Sequence, residues 1–379
     1  MYKIPESWGE KRRPRTPVAQ RKNIITHGLT YDEIFDFDTL FADAVQLGDG
    51  RVLLIGPPLY ELRKHLKFSD GIKSLPHEIL SLDKVDIVLV ETSASKIWCT
   101  DLEIEVEHIS NDFDGVGCIT TMQKNEPIHW IKDWIEYYNK EHGVKGFCIY
   151  DNNSTDYTVE ELQAALDDND LDVIVKVVNW NMPKGPNTPS WDSDFSRYVM
   201  FEHFKYKYAW CARYALNHDV DELLMMKEGT LDGLVNDLYA NRVAGLIYGN
   251  RNIEPYNERL DVAASELPIE ERRFADYWYY SNYNNTNNTK VGKRLIEKWV
   301  AIPENAMEIQ WRNHDFNGDG RIAKADRVSG LYFAHFYAMQ SMIKNHHPSF
   351  HNRNKQVVDK GDIMVDETVK RKLQSIWSS

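Results

Sequence analysis

The sequence predicts an α/β protein, a mixed and mainly parallel sheet flanked by helices, preceded by a small β-rich domain. Two patterns carry this expectation. From Val116 onwards, apolar strand-like runs alternate with amphipathic helical stretches, and a β-α-β-α-β order closes most simply as a parallel sheet with right-handed crossovers. Before that point, between about 31 and 112, short apolar runs are separated by turn residues, and helical spacing is confined to Leu59 to Leu66.

A length of 379 residues leaves room for two domains. The formal net charge of −13 excludes a general nucleic-acid binder, which needs a basic surface. One local exception is the leader, residues 1 to about 30, where Lys11, Arg12, Arg13, Arg15, Arg21 and Lys22 cluster around Pro14 and Pro17. It reads as an irregular, mostly disordered arm, suited at most to peripheral contact with an anionic membrane or a partner. Cys99, Cys118, Cys148 and Cys211 have neither metal nor disulfide spacing, and Cys118 and Cys148 fall in apolar runs as buried thiols. No apolar stretch reaches the length of a membrane span and no signal-peptide core opens the chain, so the expected location is cytoplasmic. The Asn-x-Thr matches at Asn284 and Asn287 then carry little weight as glycosylation sites.

In the first domain, Arg51 to Ile55 is a strand closed by Gly56-Pro57-Pro58, followed by Val85 to Val90 and Ile104 to Val106. Asn111 to Gly115 reads as the linker out of it. Gly117 to Thr121 is then a buried strand, Gln123 to Pro127 a polar loop, and His129 to Glu141 an aromatic amphipathic helix that Gly143 stops. Phe147 to Tyr150 is the next strand, Asp151 to Asp156 a second polar loop, Val159 to Leu166 a helix, and Val173 to Val178 a third strand. Ligands of parallel sheets bind beyond the carboxyl ends of the strands, where both polar loops fall.

Apolar residues at i, i+3 and i+4 make Asp194 to Tyr208 a helix, which leads through Trp210 to Leu216 into Asn217-His218-Asp219-Val220-Asp221-Glu222. Hard divalent cations take carboxylate oxygens, so two acids one residue apart at a strand end are candidates for a metal-diphosphate site. Such a pair is common by itself, and what singles it out is the convergence of three polar loops on one sheet edge. After a helix at Leu231 to Tyr239 and a strand at Ala244 to Tyr248, an Asn- and Tyr-rich irregular region runs to about Asn288, long enough for a substrate-binding insertion. Arg294 to Ile302 is a strand, Leu331 to Tyr337 is an apolar run holding His335, and residues 341–379 form a helical tail without a site signal.

Together these motifs resemble GT-A-fold (Rossmann-like) glycosyltransferases of the family 2 and family 92 kind. The residues that carry the likeness are Lys124-Asn125-Glu126, Trp134-Ile135-Glu136-Tyr137-Tyr138, Ile149 through Asp156, and Asp219-Val220-Asp221-Glu222. It extends from about Val116 to Lys344, with looser agreement at Glu271-Arg272-Arg273-Phe274, Lys298 to Pro303 and His335-Phe336-Tyr337. The resemblance implies a catalytic domain over 113–340, a nucleotide-sugar donor with a UDP-sugar favoured, a glycan or glycolipid acceptor, and Mn²⁺ or Mg²⁺. By the same resemblance Thr121, Glu126 and Asp151 surround the nucleoside, and Lys124 and Asp156 belong to the same nucleotide-binding loops. Asp219 faces the ribose or a metal-bound water, Asp221 binds the metal directly, and His335 is the downstream ligand with His314 as its rival. The family is usually apolar just ahead of the acidic triplet, where this chain has Asn217 and His218.

Breaking an anomeric C–O bond builds negative charge on the departing diphosphate, which a bound cation stabilises. An inverting transfer also needs a carboxylate to take the acceptor's proton. Glu254, Glu271 and Asp276 are the candidates, with Asp276 preferred for its aromatic setting between Phe274 and Tyr280. Two further signals are weaker. Asp315 to Ile322 copies the first half of an EF-hand loop, but Ala323 and Asp326 break the second half, and a tight turn is the simpler reading. His346, His347 and His351 surround Pro348 in what reads as a surface turn. The competing functional classes are a nucleotidyltransferase that makes an activated sugar, for which no Gly-rich phosphate loop is evident, and a non-catalytic carbohydrate- or Ca²⁺-binding protein.

Overall fold

The computed structural model describes residues 1–26, 28–186, 192–258, 260, 262–263, 267–281, 296–325, 330–339 and 363–377. Asn284, Asn287, Asp326, His346, His347 and His351 lie outside them. The chain divides into two units, the first made of Met1–Asp112, Trp180–Cys211 and Ile309–Asn313. Its main sheet runs in the order Glu107–His108, Asp43–Gln46, Arg51–Gly56, Val85–Glu91, His77–Leu82. All of these pairings are antiparallel except the first. Val52, Leu54, Val88 and Val90 share one core with Ile97 and Ile104 of a second, four-stranded sheet. Gly56 has no alternative here, because a Cβ would stand 2.3 Å from the Leu40 carbonyl oxygen. The helical spacing after Leu59 is realised as a 3-10 helix, Tyr60–His65.

The leader is folded where its composition predicts a disordered arm. Arg12 is 1% exposed, and its guanidinium donates to the carbonyls of Pro58 and Asp36 at 2.9 Å each and to that of Thr39. The backbone amides of Arg15 and Thr16 donate to the buried carboxylate of Asp192 at 3.0 and 2.6 Å. A charge run is solvated by default, but a guanidinium saturated by carbonyls is a buried fastener, and composition cannot tell the two apart. The helix Phe195–Lys207 also belongs to this unit. Its His203 and Lys207 reach Asp43 at 2.8 and 2.7 Å, and its Glu202 accepts the Trp311 amide at 2.9 Å.

The second unit is Phe113–Asn179, Ala212–Glu308 and His314–Ser379. Its nine-stranded sheet comprises β1 (Gly117–Gln123), β2 (Gly146–Asp151), β3 (Ile174–Asn179), β4 (Tyr214–Asn217), β5 (Glu222–Met226), β6 (Gly245–Ile253), β7 (Glu297–Ala301), β8 (Ile322–Lys324) and β9 (Leu331–Phe336). The order is β3-β2-β1-β4-β7-β6-β9-β5, with β8 paired to β6. Five pairings are parallel (β1 with β2, β1 with β4, β2 with β3, β6 with β8, β6 with β9) and three antiparallel. This is the α/β, mainly parallel architecture that the alternation predicts. Gly117 lets β4 approach, since a Cβ there would meet the Tyr214 ring at 2.0 Å.

The crossover helix α1 (Ile128–His142) buries Trp130, Ile131, Trp134, Ile135, Tyr137 and Tyr138, the face its periodicity predicts. Among the described strands β5 is an edge, and α1 covers it. The Tyr137 hydroxyl donates to Leu224 O at 2.7 Å, and the Tyr138 hydroxyl donates to Glu222 O at 3.1 Å while accepting from Leu224 N at 3.0 Å. Backbone groups that would template another strand are thereby satisfied. A reciprocal box between Thr158 and Glu161 caps the next helix, Val159–Asp167.

Three expectations are corrected. The strand expected to end at Tyr248 continues to Ile253, because Asn250 to Ile253 pair with β9. The tail is not helical throughout: Ile363–Val365 is a strand paired with Tyr279–Ser281, ahead of the helix Glu367–Trp377. Trp210 lies in a 3-10 turn, and the strand starts only at Tyr214. All four cysteines are free thiols. No described helix is long and apolar enough to cross a membrane.

Candidate functional site

The parallel strands end in polar residues aligned across the sheet. Gln123, Asp151 and Asn179 form one row at the ends of β1, β2 and β3. Thr120 of β1 stands opposite Asn217, the last residue of β4. The two polar loops and the acidic turn therefore leave neighbouring strands at the same sheet edge, as the alternation predicts.

The two loops interlock. Gln123 donates to Asp151 Oδ2 at 2.5 Å, and Ser154 N donates to Asp151 Oδ1 at 3.0 Å. Asn125, in the left-handed region at φ 54, donates its amide to Ser154 Oγ at 2.8 Å and accepts Thr155 N at 2.6 Å. The Tyr157 hydroxyl lies 2.9 Å from Gln123 Oε1 and 2.7 Å from Glu126 O. Thr121, Glu126 and Asp151 are buried, whereas Lys124 and Asp156 are exposed. The Thr121 hydroxyl is buried without a hydrogen bond.

Beyond β4 the chain makes a turn that closes on itself. Asp219 N donates to Glu222 Oε2 at 2.8 Å, and Glu222 N donates to Asp219 O at 3.0 Å. Phe336 N holds the Asp221 carbonyl at 2.9 Å. Glu222 opens β5 directly opposite His335 of β9, and Asn252 of β6 flanks His335 on the other side. Asp221 and Glu222 are each 2% exposed and His335 is 7% exposed. One donor atom from each of Asp221, Glu222 and His335 falls within 4.8 Å of the others. His335 Nε2 is 3.2 Å from Asp221 Oδ2, and His335 Nδ1 makes no hydrogen bond.

Lys298, on β7, is fully buried, with Nζ 2.9 Å from Glu222 Oε2 and 3.1 Å from Asp219 Oδ2. Burial raises the Glu222 carboxyl above its ordinary range, against the opposing pull of Lys298. Two buried carboxylates, Asp221 and Glu222, and the partly exposed Asp219 thus stand near one ammonium. The donor set suits a divalent cation. It offers carboxylate oxygen beside imidazole nitrogen, a mixture closer to the preference of Mn²⁺ than to that of Mg²⁺.

His218 explains the polar residue ahead of the triplet. It is buried, with Nε2 2.7 Å from the Tyr248 hydroxyl and its ring stacked on Tyr248 at 5.7 Å. Burial drives the imidazole well below its usual range, so it sits neutral as a polar core residue behind the acidic turn.

Not all candidates gather here. His314 Nδ1 donates to the Glu297 carbonyl oxygen at 2.8 Å, and His314 is outside the Asp221 cluster. Glu254 directly follows β6, whose Ile253 pairs with Phe336, so it leaves the sheet at the edge where His335 lies; it is 5% exposed. Asp276 is half-buried in the 3-10 turn Phe274–Asp276, and Glu271 is exposed. The Asp315 turn has no flanking helix pair among the described residues; Phe316 packs on Trp299 at 5.1 Å and Ile322–Lys324 joins the sheet as β8. The sequence reading took Lys298 and Gln123 only as members of a loose motif and a polar loop, and it gave no role to Tyr157 or to Glu222 as a ligand. A lysine heading the apolar run Trp299 to Ile302 was the available signal, since a buried ammonium requires an anionic partner.

Residues 114–373 match the model of the family described as Glycosyltransferase family 92. No curated protein matches the chain. Among solved structures, the mannosyltransferase Ktr4p from S. cerevisiae aligns with TM-score 0.27 and 12% identity over 51% of this chain and 57% of that one. Core-mannan synthase A (CmsA/Ktr4) from Aspergillus fumigatus, in an Mn/GDP form, aligns with TM-score 0.27 and 8% identity over 50% of this chain and 59% of that one. The chain thus spans less than two thirds of the length of either structure.

Proposed function

Because the chain belongs to glycosyltransferase family 92, we propose that it moves a sugar from a nucleotide-diphosphate donor, with UDP-sugars favoured, to a glycan or glycolipid acceptor, using Mn²⁺ or Mg²⁺. The observation that carries the metal and donor part is the buried cluster of Asp221, Glu222 and His335 beside the interlocked loops of Asn125 and Asp151. Asp221 and His335 would hold the ion, with Glu222 as a third donor shared with Lys298. Bound there, a divalent cation supplies positive charge to the leaving diphosphate as a Lewis acid.

The chain's own residues do the rest. Lys298 fixes Asp219 and Glu222, so the acidic turn is preorganised before donor arrives. Asp151, Glu126 and the Thr121 hydroxyl form the buried wall of the nucleoside pocket, and Lys124 and Asp156 its exposed lip. Asp219, 22% exposed at its side chain, faces the ribose side of the turn. For an inverting transfer, Glu254 is the carboxylate best situated to take the acceptor proton, being buried and at the edge shared with His335. Asp276 is the next candidate and Glu271 the last.

The reading is tested by thermal shift with Mn²⁺, UDP and both together, followed by a nucleotide-sugar hydrolysis screen. Mn²⁺ and nucleotide should stabilise cooperatively, and Asp221→Asn should remove both the cooperative shift and turnover. Absence of nucleotide-dependent stabilisation with any divalent metal would sink it.

A further inference from the structure

We propose that residues 363–377 are a working part of the transfer site, in which Asp366 clasps Arg251 and the two together position Glu254 to take the acceptor proton. The inference rests on the glycosyl-transfer reading and adds two positioning residues to it.

The tail reaches Glu254 through one intervening strand. β6 ends at Ile253, and the amide of Glu254 donates to the Tyr279 carbonyl at 2.7 Å. Tyr279–Ser281 in turn pairs with Ile363–Val365, Tyr279 standing opposite Val365. The Asp366 amide then donates to the Trp278 carbonyl at 2.8 Å. The backbone that carries Glu254 is therefore fastened to a ribbon that the tail completes. A two-stranded ribbon is marginal by itself, so its position depends on what anchors it.

Asp366 is that anchor. It is 3% exposed, and both of its carboxylate oxygens are engaged. Oδ2 accepts the Arg251 guanidinium at 2.7 Å and the Tyr332 hydroxyl at 2.8 Å, while Oδ1 accepts the amides of Thr368 and Val369 at 3.1 Å each. One side chain thus caps the helix Glu367–Trp377 and ties it to β6 and β9. The Arg251 guanidinium lies between the rings of Tyr280 and Tyr332, 4.8 and 4.5 Å from their centroids. Stacking on two faces together with a directed ion pair fixes a planar cation in place. Arg251 precedes Glu254 by three residues. Strand alternation turns it away from the face on which Asn252, His335 and Glu222 stand in register. The clasp therefore grips β6 from behind the face that holds the candidate metal ligands. At the far end Trp377 stacks on Phe274 at 6.2 Å and donates to Glu136 at 2.7 Å, with Val369 and Leu373 fully buried between.

The test is steady-state kinetics of the full chain with Mn²⁺ and the donor that the hydrolysis screen turns over, water standing in for the acceptor hydroxyl, below the melting transition of every variant. Arg251→Met with Asp366→Asn removes both charges together, and Asn keeps an oxygen for the Thr368 and Val369 amides. The double variant should lose about 10- to 100-fold in kcat, the cost of misplacing a reacting group by about an ångström, with donor KM within about twofold of the parent. The cooperative melting shift with Mn²⁺ and UDP should persist. Arg251→Lys, which keeps the charge pair, should recover most of the loss. Because the clasp acts through Glu254, the double substitution should cost nothing further in a Glu254→Gln background. Should the double variant fail to fold, Asp366→Asn alone carries the same expectations. Parental kcat in the clasp variants or in Glu254→Gln, an equal further loss in the Glu254→Gln background, or a loss confined to donor KM or to the Mn²⁺ and UDP shift would each overturn the inference and leave glycosyl transfer standing. No turnover with any donor would overturn both.

Discussion

Replacing Lys298 with Met removes one charge from a site that cannot rehydrate easily. The ammonium lies 2.9 Å from Glu222 and 3.1 Å from Asp219 and is fully buried. At an effective dielectric constant of about 20, those separations correspond to gross attractions of about 6 and about 5 kcal/mol. Desolvation of the three groups offsets most of that sum, so the pair is not a large net stabiliser of the fold. Breaking it is a different matter, because Glu222 is left buried with Asp219 and Asp221 and without its counter-charge. Such uncompensated burial costs about 3–5 kcal/mol, or a fall in melting temperature of roughly 6–20 °C for a unit of this size. The assay is thermal and urea unfolding of Lys298→Met in chelator, repeated with saturating Mn²⁺. Manganese should restore more stability to the variant than it adds to the parent, since the ion replaces the missing charge. A chelated variant within about 1 kcal/mol of the parent, or no extra gain with Mn²⁺, would refute the claim that Lys298 is the standing counter-charge of the acidic turn.

Other outcomes follow from the same contacts. Mn²⁺ at 100 times its dissociation constant should stabilise the chain by about 2.7 kcal/mol, and Asp221→Asn should abolish that shift in a fluorescence melt. Burial pushes the Asp43 carboxyl up, but His203 and Lys207 outweigh it and hold it below the ordinary carboxylate range. A depressed folded pKa gives stability that is complete above the unfolded value of about 3.9 and is lost as pH falls below it. Melts between pH 6 and pH 3 should therefore show an acid-sensitive loss that Asp43→Asn flattens. Gly56→Ala forces a methyl against the Leu40 carbonyl, and chemical denaturation should register a loss of about 1–3 kcal/mol.

Much of the second unit was legible because its strands and crossover helix obey simple periods. The face of α1 is apolar at 3.6-residue spacing, β1 and β2 are short runs of mostly apolar, buried residues, and each ends in the polar residue that begins a loop. The acidic pair was readable as a candidate because two carboxylates stand at a strand end. Its partners were less so, as Lys298 comes from a strand 77 residues beyond Asp221 and His335 from one still later. Only sheet order brings β7, β9 and β5 together, and order is a non-local property. The leader was misread for a related reason. Arg12 is a charged residue by composition and a core residue by its three carbonyl partners, which arrive from Asp36, Thr39 and Pro58.

The first unit borrows its helix Phe195–Lys207 and the strip Ile309–Asn313 from sequence that otherwise builds the second. Neither unit is thus a cassette that a single cut can release. A fragment ending at Asp112 would expose Asp43 without His203 and Lys207, and would leave the amides of Arg15 and Thr16 without Asp192. A fragment starting at Phe113 would carry an orphan helix whose buried face includes Phe195, Val199, Phe201 and Phe204. Modular exchange of the N-terminal portion between relatives would have to transplant three separate stretches together, so inheritance of this architecture is all-or-none.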